Sequence, residues 1–79
     1  MEKYVKLPEI SKKKEKAILC EWCAAPGDII NSGELLCVIE VNKVTEEIYA
    51  EYDMEILCLL IEEGDEVAFG ENIAKVRKV

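Results

Sequence analysis

The sequence repeats itself after 37 residues, and this repeat restricts the folds that the chain can adopt. Residues 27–39 read GDIINSGELLCVI and residues 64–76 read GDEVAFGENIAKV, with Gly, Asp, Gly and Glu at equivalent places. Apolar residues also match, as with Ile30 and Val67. The chain therefore contains two copies of one supersecondary unit, and their apolar faces must be buried against each other.

Each copy has the pattern of short β-strands joined by tight turns. Glycine supplies positive φ in such turns, and an Asp beside it can bond to the nearby backbone. Five segments of seven or eight residues are rich in apolar and β-branched types, at a spacing typical of a sandwich or barrel: AILCEWC, ELLCVIEV, VTEEIYA, MEILCLLI and NIAKVRK. We predict an all-β fold, a flattened β-barrel or sandwich of two small antiparallel sheets with internal pseudo-two-fold symmetry.

The junction between the two copies carries an isolated lysine. Between Ala17 and Ala74 the chain has fourteen Asp or Glu residues, no Arg and one Lys, which is Lys43. Apolar segments flank it on both sides, and Asn42 beside it is a good turn former. We expect a tight hairpin on the pseudo-symmetry axis, with Lys43 exposed at its tip.

Size and charge exclude several classes of function. A length of 79 residues fits one small domain, residues 1–79, without a second lobe or a deep active-site cleft, so we do not expect an enzyme. A formal net charge of -7 argues against a nucleic-acid partner, since phosphate binding needs a basic face. No apolar run approaches the roughly 18 to 20 residues of a membrane span, and no signal peptide is evident, so we expect a cytoplasmic chain without a membrane partner.

Four cysteines without an export signal favour reduced thiols over a disulfide framework. The segment CEWC, residues 20–23, matches a C-x-x-C pattern, but the chain has no second such pair and no His to complete a tetrahedral zinc site. We predict no metal site, and we expect the cysteines to act as small apolar core residues.

Three ordered segments resemble the biotinyl/lipoyl carrier domains, the swinging-arm modules of 2-oxo acid dehydrogenase complexes and biotin-dependent carboxylases. KLPEI, residues 6–10, looks like that family's opening K-x-P-x-L. Residues 22–43, WCAAPGDIINSGELLCVIEVNK, are similar to its W-x-x-x-x-G-D-x-V-x-x-G-x-x-L-x-x-V-E-x-D-K. Residues 59–76 are similar to its closing I-x-V-x-x-G-D-x-V-x-x-G-x-x-L-x-x-I, so the resemblance covers nearly the whole chain.

The resemblance implies a flattened barrel of two four-stranded sheets, and the family's modified lysine falls on Lys43. It implies a non-catalytic carrier, most like the lipoyl domain of the acyltransferase (E2) subunits of 2-oxo acid dehydrogenase complexes, with lipoate joined to Lys43 by an amide. Its partners would be a lipoate ligase or lipoyl transferase, and the dehydrogenase and acyltransferase components of a multienzyme complex.

The residues around Lys43 bear on which cofactor it carries. Biotin acceptors resemble A-M-K-M, whereas lipoyl acceptors resemble E-x-D-K-A. The flanks here are Glu40, Asn42 and Val44. Glu40 occurs in both classes and does not discriminate, but Asn42 is isosteric with Asp and neither Asn42 nor Val44 is Met, so these two neighbours favour lipoate. Two alternatives stay open: a biotin carboxyl carrier domain that holds biotin, and an unmodified lipoyl-like interaction module.

The resemblance also implies that the loop after the first strand lies near the modified lysine and helps a partner enzyme to recognise its carrier. In this chain that loop contains the basic block SKKKEK. The candidate docking residues are Lys12, Lys13, Lys14 and Lys16.

Three positions depart from the family pattern. Glu51 and Met54 stand where the family usually has Pro and Gly, and Glu46 stands at a usually apolar position. The connection from Ala50 to Met54 is therefore the part of the backbone that the resemblance defines least.

Overall fold

The computed structural model describes residues 2–9 and 16–79, and all the regular structure in this part of the chain is β-strand. The prediction of an all-β fold is confirmed. The strands, in chain order, are β1 (Glu2–Lys6), β2 (Lys16–Trp22), β3 (Ile29–Ile30), β4 (Leu35–Val41), β5 (Val44–Tyr49), β6 (Met54–Leu59), β7 (Glu66–Ala68) and β8 (Asn72–Lys78).

The strands form two antiparallel four-stranded sheets, in the orders β1-β8-β6-β3 and β5-β4-β2-β7. An offset of 37 residues carries β4 onto β8 and β2 almost onto β6. Each sheet therefore contains strands from both sequence copies, arranged in the same spatial order. This is the predicted pseudo-two-fold arrangement, in which two thirds of the strand partners of each copy, four of the six, come from the other copy, so the two copies depend on each other for their sheets.

The core lies between the two sheets and obeys the same symmetry. Leu19, Ile39, Ile56 and Val76 are fully shielded from solvent, and the 37-residue offset relates Leu19 to Ile56 and Ile39 to Val76. No charged or polar residue is buried among the described residues. Burial of these apolar side chains is the main favourable contribution to folding.

Matching turns join the strands of the two copies. The Ala25 N–H donates to Asp28 Oδ2 at 2.9 Å, and the Glu62 N–H donates to Asp65 Oδ2 at 2.8 Å. The preceding glycines, Gly27 and Gly64, have φ values of 95° and 94°, a conformation that is unfavourable for residues with a Cβ. The repeated Gly-Asp pairs are thus turn residues, as their sequence pattern indicates.

The first strand, β1, was implied by the family resemblance but not by its own sequence pattern. In β1, EKYVK, three of five residues are charged and only Val5 is partly buried, so its pattern carries little apolar signal. The strand exists because it pairs with β8, with Glu2 opposite Arg77 and Val5 opposite Ala74. Such pairing is a tertiary effect that local sequence does not encode.

The connection at Glu51 and Met54 is fixed by polar contacts. The Ser32 N–H donates to Asp53 Oδ1 at 2.8 Å, and the Val79 N–H donates to the Asp53 carbonyl oxygen at 3.1 Å. Because β5 runs away from the Lys43 hairpin and β6 begins directly afterwards, with Met54 opposite Lys78, the end of β8 lies at the far end of the sandwich from the hairpin.

The position of Glu46 on an edge strand explains why a charged residue is tolerated where the family usually has an apolar one. Glu46 alternates with Ile48, whose side chain is buried, so it lies on the core side of β5, yet it is exposed. The reason is its position, because β5 pairs only with β4 among the described strands and forms the edge of its sheet. A charge that points inward on an edge strand also opposes pairing with another chain.

Candidate functional site

The β4–β5 hairpin closes with the shortest common type of loop. Val41 pairs with Val44, so the loop consists only of Asn42 and Lys43. Both have positive φ, 54° for Asn42 and 65° for Lys43. Two successive left-handed residues are the signature of a type I′ turn, whose twist matches that of the strands it joins. The tight hairpin predicted from the sequence is present.

Lys43 occupies a conformation that a lysine rarely adopts. Asn tolerates the left-handed region, whereas the second position of a type I′ turn is usually Gly, since a side chain there costs about 1–2 kcal/mol. Lys43 is one of only two non-glycine residues with positive φ among the described residues, the other being Asn42. Backbone strain of this kind is concentrated at functional sites, so the observed outlier marks this residue as a functional candidate.

The surroundings of Lys43 leave its side chain accessible. Asn42, Lys43 and Val44 are all exposed, with Val44 at 58% of its full exposure, and Glu40 is half-buried. In the described part of the chain, the ion pairs involve Lys16, Lys75 and Arg77 but not Lys43. No carboxylate of residues 2–9 or 16–79 therefore forms an ion pair with the Lys43 amine.

The base of the hairpin is anchored in the core. Ile39 is fully buried and Val41 is 8% exposed, so β4 is held in the sandwich up to the residue before the turn. Six residue pairs join β4 to β5, and the five nearest the turn, from Cys37 opposite Ile48 to Val41 opposite Val44, are consecutive. A flexible side chain thus projects from a rigid support.

The basic docking candidates lie only partly within the described residues. Lys16 begins β2 and forms an ion pair with Glu66 at 3.2 Å, between side chains that are both largely exposed. Since Ile18 is opposite Glu40 in the β2–β4 pairing, Lys16 lies level with Asn42 at the hairpin end of the sheet. Lys12, Lys13 and Lys14 lie outside the described residues.

The prediction that the cysteines fill the core is wrong for three of them. Cys20, Cys23 and Cys58 are exposed, and only Cys37 is buried. A bulge between Leu19 and Glu21 interrupts the alternation that would otherwise place the two cysteines of CEWC on opposite faces. Burial raises the pKa of the Cys37 thiol from 9.0 to about 12, with a smaller contribution from nearby Cys23. The described residues contain no cluster of three or more metal-ligating side chains and no helix that could cross a membrane.

Comparison with known proteins identifies the family. The family model Biotin_lipoyl, described as "Biotin-requiring enzyme", matches residues 3–76. The chain belongs to the biotin/lipoyl family. The resemblance expected from the sequence motifs is confirmed.

Relatives from both branches of the biotin/lipoyl family are similar to the chain. It is 32% identical over 72 residues, 91% of its length, to the dihydrolipoyllysine-residue succinyltransferase component of the 2-oxoglutarate dehydrogenase complex of Bacillus subtilis, and it spans only 17% of that relative. It is 36% identical over 53 residues, 67% of its length, to the biotin carboxyl carrier protein of acetyl-CoA carboxylase of Chlamydia pneumoniae, spanning 32% of it.

A solved structure shares the fold over nearly the whole chain. The lipoyl domain of the 2-oxoglutarate dehydrogenase complex from Azotobacter vinelandii superposes with a TM-score of 0.77 at 31% identity, covering 95% of each chain. The agreement extends to the two-sheet architecture, so the barrel-sandwich fold predicted from the repeat is confirmed.

Proposed function

We propose that residues 1–79 form one lipoyl carrier domain and that lipoate is attached by an amide bond to Nζ of Lys43. The observation that carries the proposal is the turn itself. Lys43 occupies the second position of a two-residue loop, with a φ of 65°, at the exposed tip of a hairpin anchored in the core. This position would suit Gly better on conformational grounds, so the lysine is best explained by use of its amine.

The attachment chemistry requires a partner enzyme. A lipoate ligase joins lipoate to AMP at the expense of ATP, and the Lys43 amine then attacks the activated carbonyl carbon. A C–N bond forms, the C–O bond to AMP breaks, and the amine loses a proton. When bound, the lipoyl group supplies a disulfide ring that accepts and releases acyl groups and electrons. The chain presents and positions this group and does not catalyse the reaction.

The flanks of Lys43 favour lipoate over biotin. Asn42 is isosteric with the Asp of lipoyl acceptors, and neither Asn42 nor Val44 is the Met of biotin acceptors. The similarity to succinyltransferase components supports the same choice, since it extends over 91% of the chain against 67% for the biotin carrier relative. The proposed partners are therefore a lipoate ligase or lipoyl transferase, and the dehydrogenase and acyltransferase components of a 2-oxo acid dehydrogenase complex.

The test is the intact mass of the purified chain after separate incubation with lipoate ligase, lipoate and ATP, and with biotin ligase, biotin and ATP. We expect one lipoyl increment in the first reaction, none in the second, and no increment in Lys43→Ala. An increment only with biotin would replace the proposal by the biotin carrier alternative. A chain unchanged by both ligases would favour the unmodified interaction module.

A further inference from the structure

The sheet that carries the Lys43 hairpin has an acidic outer face with an apolar centre. Directly opposed residues of an antiparallel pair lie on the same side of the sheet, and side chains alternate along each strand. Cys37, Ile39 and Val41 are buried, so Val38 and Glu40 point outward from β4. Their cross-strand partners, and Glu66 opposite Ile18, share this side. We call it the acidic face and define it by Ile18, Glu21, Val38, Glu40, Thr45, Glu47 and Glu66; Lys16, two residues before Ile18 on β2, points to the same side and borders it.

Two rows of residues cross this face next to the hairpin. The first is Thr45, Glu40, Ile18 and Glu66, and the second is Glu47, Val38 and Glu21. Acids alternate with uncharged residues in both rows, so no two carboxylates are direct cross-strand partners and the strands avoid that repulsion. The first row is one residue pair removed from the Val41–Val44 pair that closes the turn. An enzyme that reaches the Lys43 amine across this side of the sheet therefore passes beside this row.

Among the described residues, most of the carboxylates on this sheet have no ion-pair partner, in contrast to the other sheet. The strands β2, β4, β5 and β7 contain five glutamates and one lysine, whereas β1, β3, β6 and β8 contain five cations and two glutamates. On the outer face of the β1-β8-β6-β3 sheet, charged side chains form ion pairs with one another: Lys75 pairs with Glu2 at 3.0 Å, and Arg77 pairs with Glu55 at 3.3 Å. On the acidic face only Glu66 has a cationic partner among the described residues, and Glu21, Glu40 and Glu47 form no ion pair.

An apolar side chain lies between these carboxylates. Ile18 is 42% exposed, with Glu66 opposite it on one side and Glu40 on the other. Val38, in the next row, is half-buried. An apolar contact surrounded by charged groups has the composition of a protein docking surface, with a centre that loses water on binding and a rim that selects the partner by charge.

We propose that the acidic face is the surface on which the ligase that modifies Lys43 docks, and that this ligase covers Ile18 with an apolar contact surrounded by Arg or Lys side chains. The inference rests on the proposed function, because it assumes that Lys43 is a ligase substrate. It adds the surface and the charge of the partner. Charge complementarity of this kind raises the association rate and weakens as salt screens it.

The test compares matched variants in the rate of lipoylation by lipoate ligase, measured as kcat/KM by mass spectrometry at several salt concentrations. Glu47→Arg places a cation on the acidic face. Glu51→Arg makes the same change just beyond β5, at the end away from the hairpin, and serves as its control. Ile18→Thr reduces the apolar centre, and Ile29→Thr changes a residue that is 56% exposed on the other sheet. Urea unfolding verifies that each variant is folded.

At low salt we expect kcat/KM to fall about tenfold in Glu47→Arg and to stay within about twofold of the wild type in Glu51→Arg. The difference should shrink at roughly 0.5 M salt, where charges are screened beyond a few ångströms. Ile18→Thr should lower kcat/KM at every salt concentration, and Ile29→Thr should not.

Two negative outcomes are distinguishable. A wild-type chain that the ligase does not modify would overturn both the proposed function and this inference. A wild-type chain that is modified normally, with Glu47→Arg and Glu51→Arg equal at low salt or Ile18→Thr equal to Ile29→Thr, would overturn the docking surface and leave the carrier function in place.

Discussion

At the scale of single residues, the strained turn predicts that Lys43 makes the folded chain less stable than a glycine at the same position would. Lys43→Gly removes the Cβ that makes a φ of 65° unfavourable, so we expect the free energy of unfolding to rise by about 0.5–1 kcal/mol. Lys43→Ala keeps the Cβ and should remain close to the wild type. Urea unfolding measures both variants. A Gly variant less stable than the wild type would show that the lysine side chain stabilises the turn.

A second prediction at this scale concerns Cys37. Its pKa is about 12 in the folded chain against an ordinary value of 9.0, so the unfolded chain releases the thiol proton first as the pH rises. The stability that Cys37 contributes is complete below pH 9 and is lost progressively towards pH 12. Cys37→Ala should therefore show a smaller loss of stability between pH 8 and 10 than the wild type does. Cys20→Ala, at an exposed thiol, is the control; equal slopes for both variants would contradict the assignment.

At the scale of elements, the two copies of the Gly-Asp turn should be energetically equivalent. Asp28 and Asp65 each accept one backbone hydrogen bond from the residue three positions earlier, at 2.9 and 2.8 Å. We expect Asp28→Ala and Asp65→Ala each to lower the free energy of unfolding by about 1 kcal/mol, and the double variant by about 2 kcal/mol. Denaturant titration of the four proteins tests this. A large loss in one single variant and none in the other would show that the sequence repeat is not an energetic repeat.

At the scale of the whole molecule, the repeat made most of the fold predictable. The equivalent glycines and core residues of the repeat predicted two similar units. The five segments with apolar patterns correspond to β2, β4, β5, β6 and β8. The edge strand β1 was implied only by the family resemblance, because long-range pairing with β8, and not its own composition, makes it a strand. The exposure of three cysteines was missed because the bulge in β2 and the register of β6 become defined only when the sheets assemble.

The candidate site was predictable for a different reason. Lys43 stood out by its isolation among acids and by its place between the two copies, both of which are visible in the sequence. The positive φ of Lys43 could not be predicted from the sequence. An Asn-Lys pair is compatible with several turns, and the strand register selects type I′. The acidic face was equally hidden, because its rows combine residues from β2, β4, β5 and β7 that are up to 48 positions apart, from Ile18 to Glu66.

The most direct test of Lys43 as the attachment site is to locate the modification within the lipoylated chain. Cleavage after Glu releases residues 41–46, VNKVTE, in which Lys43 is the only lysine. After incubation with lipoate ligase, lipoate and ATP, we expect a single lipoyl increment on this peptide and none on peptides that contain the other lysines. An increment on any other lysine, with residues 41–46 unmodified, would contradict the claim that the Lys43 hairpin is the attachment site.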